Sequence, residues 1–158
     1  MTPVIEPLQA RFWQVCENLI YRHTTPWDLD EALVAWGYGI GPCEAQDLVG
    51  LDAVLKKRGD AETTPILPRM VAEGRLGKRY GWGYYRYPGG GGAVIDPLIE
   101  DLICEEAWFA KVTREEISGR ALVERVHADM GQALRDDIDA AIKLLHFPAD
   151  RRSLVQAK

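Results

Sequence analysis

Little in this chain commits it to nucleic acid, a membrane or a metal. Basic residues are not in excess: 19 lysines and arginines stand against 24 aspartates and glutamates, a net charge of −5. No positive field is therefore available to hold a phosphate backbone, and nucleic acid is not an expected partner. No apolar run approaches the roughly 20 residues of a bilayer span, so no membrane partner is expected either. The first residues, MTPVIEPLQARFW, have no basic stretch followed by an apolar one, and no signal peptide is expected. Three scattered cysteines, Cys16, Cys43 and Cys104, form no CxxC pair and no zinc-ligand spacing with the three histidines. They are expected to be small, buried and free, which suits a reducing cytoplasm. No alternating strand pattern of useful length occurs, and the expected fold class is all-α.

Catalytic patterns are equally scarce. Gly37-Tyr38-Gly39-Ile40-Gly41 superficially suggests a nucleotide loop, but it follows a helical pattern rather than a strand and is closed by Pro42. Gly74-Arg75-Leu76-Gly77-Lys78 is no phosphate loop, because the leading glycine position holds Ala72. None of His23, His127 and His146 has a serine, cysteine or carboxylate placed for nucleophilic or acid–base work. His127, beside Asp129, is expected to be exposed. Asp28 and Asp30 lie two apart, point to different helix faces and make a poor acid–base pair. Arg75, Lys78 and Arg79 cluster in a glycine-rich loop, where free N–H groups and cationic side chains can hold a phosphate. They are the candidate substrate-binding residues, against the plainer reading of a solvated basic turn. Tyr80, Trp82, Tyr84, Tyr85 and Tyr87 are expected to pack that loop.

What is present is helical punctuation. Positions 6–22 place Leu8, Phe12, Val15, Cys16 and Leu19 on one face. Thr25-Pro26 opens a second helix that stops at Gly37. Positions 43–58 read as one or two helices, with a break near Gly50. Thr63, Thr64 and Pro65 open another, ending at Gly74. Positions 74–92 read as an irregular loop with an extended piece at 84–87, and Gly89–Gly92 is the best candidate boundary. Beyond it a helix is expected from 95 to 110. Thr113 with Glu116 predicts a capping box opening a long helix with Ile117, Ala121, Leu122, Val126 and Met130 on one face. A last short helix covers about 136–145, followed by a polar tail. Asp28–Leu33 is faintly echoed by Asp137–Ile142.

Three stretches together carry a resemblance: DLDEALVA (28–35), YGIGPCEAQDLVGLDA (38–53) and MVAEGRLGKRYGWGYYRY (70–87). In this order and spacing they resemble the C-terminal domain of the 3-hydroxyacyl-CoA dehydrogenase family. The motif positions here are Asp28 and Asp30, Gly41 and Pro42, Asp47, Gly50, Leu51 and Asp52, then Gly74, Gly77, Gly83 and Tyr85, all expected to be structural. The resemblance covers about residues 5–90, and 94–158 looks like an eroded second copy. The expected units are therefore 1–90 and 91–158, the second packed on the first, as in the multifunctional β-oxidation members.

The resemblance implies an all-α domain, like that of the 6-phosphogluconate dehydrogenase-like folds, that packs on an NAD-binding Rossmann domain and often dimerises. It also implies oxidation of an L-3-hydroxyacyl-CoA at C3 in fatty-acid β-oxidation or related acyl-CoA metabolism. The histidine and glutamate that move the proton belong to the Rossmann half. No catalytic residue and no cofactor site is therefore expected here, and NAD is expected only through a separate domain, in cis or in trans. The expected partners are that domain or a second copy, with acyl-CoA as ligand. The family's helical domain opens with Asn-Arg, the asparagine near substrate; aligned without gaps, those positions are Ile5 and Glu6. The competing expectation is a non-catalytic interaction module derived from the domain.

Overall fold

A computed structural model describes residues 4–58 and 64–156. Ten α-helices run in order among them: α1 (Pro7–Arg22), α2 (Pro26–Trp36), α3 (Pro42–Val49), α4 (Leu51–Arg58), α5 (Ile66–Ala72), α6 (Pro97–Phe109), α7 (Arg120–Met130), α8 (Gln132–Asp136), α9 (Ile138–Leu144) and α10 (Arg152–Gln156). No β-strand is formed by the described residues. The loop between α5 and α6 has only single-residue bridges, Gly77 with Trp82, Trp82 with Arg86 and Arg86 with Val94.

The hub is α1, which buries Phe12, Trp13, Val15, Cys16, Leu19, Ile20 and Tyr21. A helix apolar on most sides must be covered on most sides. Accordingly α2, α3, α6, α7 and α9 all pack on it. Its one buried charge, Glu17, holds the Arg58 guanidinium at 2.7 Å, accepts the Thr64 hydroxyl and receives Leu67 N at 3.1 Å. Cys16 and Cys43 are buried, whereas Cys104 is exposed, contrary to expectation.

The punctuation reads through locally. Thr25 Oγ1 accepts Asp28 N at 3.2 Å and Pro26 occupies the first turn of α2, satisfying an orphan donor where proline loses nothing. Gly50 divides α3 from α4 with φ 109°, a conformation that a Cβ would strain. Thr64 caps Ile66 N at 3.1 Å; Thr63 lies outside the described residues.

Three further expectations fail. Thr113 and Glu116 open no helix: residues 112–118 are not helical, with Glu115 N and Ile117 N donating to Arg22 O and His23 O at 3.0 Å each. The winning interaction is Arg114, whose guanidinium donates to the carbonyls of Ile20 and Tyr21 in the last turn of α1 and of Thr24 just past it. Those carbonyls have no intrahelical partner, and a cation suits the negative end of the helix. The helix α7 thus starts only after Gly119. Second, the helix at 138–144 is not the last, because α10 follows in the polar tail and buries Val155. Third, His127 is half-buried rather than exposed. It sits among Trp36, Tyr38 and Phe147, with Nε2 3.0 Å from the Tyr38 hydroxyl, and burial lowers its pKa to about 4.

The echo of Asp28–Leu33 is local. Asp30 is buried, whereas Asp139 is 83% exposed and pairs with Arg152 at 2.9 Å.

Candidate functional site

Two buried aspartates organise the turns around α3. Asp30, on α2, accepts Cys43 N at 2.9 Å and Glu44 N at 3.0 Å, and the Tyr85 hydroxyl at 2.8 Å. It therefore caps the start of α3 from another helix, a place where a carboxylate suits both the free N–H groups and the dipole. Gly41 makes this possible by having no side chain: a Cβ there would lie 2.2 Å from Asp30 Cγ. Its φ is −69°, so close approach demands glycine here, not a left-handed backbone.

Asp47, on α3, does the same for the loop. It accepts Tyr84 N at 2.8 Å, Tyr85 N at 3.1 Å and the Tyr87 hydroxyl at 2.6 Å. A Cβ on Gly83 would sit 2.1 Å from Asp47 Oδ1, and one on Gly77 2.4 Å from Asp47 O. Burial lifts both carboxyls, Asp30 to about 6 and Asp47 to about 7, against the opposing pull of their hydrogen bonds. Tyr85 thus ties the two aspartates together, its backbone to Asp47 and its hydroxyl to Asp30.

On the outside of this frame lies a cleft of about 490 Å³ between α3, α4 and the loop. Leu48, Val49, Ala53 and Leu76 line it with Tyr80, and Lys56 and Arg79 supply positive charge. An apolar wall with two cations suits a ligand with an anionic head and an apolar tail. Asp47 and Asp52 also line it.

The family profile described as 3-hydroxyacyl-CoA dehydrogenase, C-terminal domain, matches residues 4–87. The chain belongs to this family. The peroxisomal bifunctional enzyme of Cavia porcellus is 27% identical over 146 residues, 78% of this chain and 20% of that protein. The 3-hydroxybutyryl-CoA dehydrogenase of Mycobacterium tuberculosis is 39% identical over 70 residues, 38% of this chain and 24% of that protein. This chain therefore spans a quarter or less of these relatives. The crystal structure of the dehydrogenase part of multifunctional enzyme 1 from C. elegans aligns with a TM-score of 0.67 at 21% identity. That alignment covers 88% of this chain and 33% of that one, and it shows a shared fold.

Within this 3-hydroxyacyl-CoA dehydrogenase domain the three loop cations do different things. Arg75 is 3% exposed, pairs with Asp96 at 2.9 Å and lies 4.2 Å over the Trp82 ring. Lys78 is half-buried with Nζ 5.8 Å from the Tyr87 ring. Arg79 is exposed on the cleft. Lys56, which sequence reasoning did not single out, joins it there from α4; its only signal was a basic last turn on a short helix.

The role of Asp30 was missed as well, since an acid early in a helix is usually a first-turn charge, the role Asp28 takes. Of the loop aromatics, Tyr84, Tyr85 and Tyr87 are buried, while Tyr80 and Trp82 are partly open. Gly37–Gly41 does not frame a dinucleotide: Gly37 ends α2, Gly39 N donates to His146 O at 3.0 Å, and Pro42 starts α3. These residues do not fit NAD. Ile5 is 6% exposed in the core. No helix among the described residues is long and apolar enough to cross a membrane.

Proposed function

We propose that this chain is the substrate-side helical domain of a 3-hydroxyacyl-CoA dehydrogenase acting in fatty-acid β-oxidation or related acyl-CoA metabolism. Hydride transfer needs a cofactor site and a base; on this reading both come from an NAD-binding domain, in cis or in trans. Residues 91–158 are the degenerate second copy of the helical unit, and homodimerisation is the other use of the helical surface. Three unpaired thiols suit action in the cytoplasm, although several relatives are peroxisomal by name.

The observation that supports acyl-CoA contact is the cleft bearing Lys56 and Arg79 beside Leu48 and Leu76. A CoA thioester offers phosphates to the cations and an acyl chain to the apolar wall. Calorimetric titration with acetoacetyl-CoA tests it. Binding is expected, and Lys56→Gln with Arg79→Gln should weaken it at least tenfold without moving the melting temperature, because both side chains are exposed. Undiminished binding by this double variant counts against the cleft.

The second reading, a non-catalytic interaction module, is favoured by Ile5 and Glu6, the residues that an ungapped alignment puts where the resemblance implies Asn-Arg. Absence of any acyl-CoA binding, together with no turnover when a relative's NAD-binding domain is added, decides for the module.

A further inference from the structure

The outward face of α6 is the least expected surface of the molecule. Trp108 is 78% exposed and Phe109 66%, two adjacent aromatics whose rings meet edge to face at 6.1 Å. Leu98, one end of the same helix, is 59% exposed. Isolated exposed apolar residues are ordinary, but two large neighbouring rings held in water mark an interaction surface. The ten residues from Leu98 to Trp108 separate the anchors by roughly 15 Å along the axis, about three turns of helix.

The charge on this helix is one-sided. From Pro97 to Ala110 there are four carboxylates, Glu100, Asp101, Glu105 and Glu106, and no lysine, arginine or histidine. Arg69 of α5 reaches Glu105 at 2.7 Å and Glu106 at 2.8 Å. Glu100 and Asp101, both exposed, have no ion-pair partner among the described residues. Leu98 stands beside these two unneutralised acids, with Trp108 and Phe109 about two turns further along the helix; the complement is a row of apolar side chains flanked by lysine or arginine at the Leu98 end. A second copy meeting this helix with the same helix would set Glu100 and Asp101 against their own kind, a like-charge contact that disfavours pairing.

We infer that the α6 face is a docking surface for a basic amphipathic helix of another protein, anchored on Trp108, Phe109 and Leu98 and steered by Glu100 and Asp101. None of these residues lines the cleft between α3, α4 and the loop, so the inference is independent of acyl-CoA binding. Helix-on-surface recognition of this kind takes affinity from apolar anchors and specificity from the charged margin.

The test uses the whole chain and three helical probe peptides of equal length and identical leucine pattern, with lysine, glutamine or glutamate at the polar positions. Fluorescence anisotropy of labelled peptide reads binding, and sedimentation reads self-association. The lysine peptide is expected to bind at least tenfold more tightly than the glutamine peptide. The glutamate peptide is expected not to bind, and added salt should weaken the lysine complex. Trp108→Ser with Phe109→Ser should remove binding. Glu100→Gln with Asp101→Asn should erase the preference for lysine over glutamine. All four side chains are exposed, so melting temperatures should match the parent, which separates a lost contact from a lost fold. Equal binding of the three peptides, or no binding of the lysine peptide, overturns the inference. So does a dimer that Trp108→Ser dissociates, since a second copy is then the occupant.

Discussion

Replacing Gly41 by alanine probes the frame with the least chemistry. The added methyl would sit 2.2 Å from Cγ and 2.3 Å from Cβ of Asp30, against the roughly 3.5–4.0 Å of an ordinary carbon–carbon contact. More than 1 Å of movement is therefore forced on a side chain with nowhere to go. Asp30 is held by Cys43 N, Glu44 N and the Tyr85 hydroxyl. Overpacking of this kind costs about 1–3 kcal/mol, and losing one of these charge-assisted hydrogen bonds adds about 1.5–3 kcal/mol. The expected loss is about 3–5 kcal/mol, a large part of a typical domain's stability. Urea denaturation followed by circular dichroism measures it. Gly74→Ala is the control: Gly74 has φ 84° but nothing within 4 Å of its would-be Cβ, so only the backbone penalty of about 1–2 kcal/mol applies. If Gly41→Ala unfolds within about 0.5 kcal/mol of the parent, close approach to Asp30 does not define the turn.

Stability should also depend on pH through the two buried aspartates. Their folded pKa values, about 6 for Asp30 and about 7 for Asp47, lie above the unfolded value of about 3.9. The folded chain then holds protons that the unfolded chain releases, so this contribution is complete below about pH 4 and fades as pH rises through 6 to 7. His127, lowered to about 4, acts oppositely, its contribution being present above about pH 6.5 and lost toward pH 4. Thermal melts from pH 8 to 5 of the parent and Asp47→Asn should show a flatter profile in the variant; identical slopes would refute the assignment. Arg114→Ala should cost about 2–4 kcal/mol by leaving the carbonyls that end α1 without donors, and an unchanged urea midpoint would remove Arg114 from that role. Asp96→Ala should cost about 3–5 kcal/mol by stranding buried Arg75, whereas Lys78→Ala, on the same loop, should stay within about 1 kcal/mol; equal melts for the two variants would contradict the buried pair.

The sequence by itself determined the helices whose signals are local. Thr25-Pro26, Gly37, Gly50 and Gly74 act through one turn of backbone, so their meaning does not wait for the fold. The motif series from Asp28 to Tyr87 identified the family because close packing admits few residue types at those positions. Only the tertiary structure decided which of two nearby aspartates is buried, since Asp28 and Asp30 differ by the helix face that meets α3 and not by chemistry. Gly41 likewise reads only as a structural turn glycine until a neighbouring helix is seen to press a carboxylate against it. Thr113 and Glu116 carry a sound capping signal of about 1 kcal/mol, and it lost to Arg114 satisfying three carbonyls some ninety residues earlier. Long-range hydrogen bonds of that kind, and the solvent left around Trp108 and Phe109, depend on what packs where, and no local pattern encodes them.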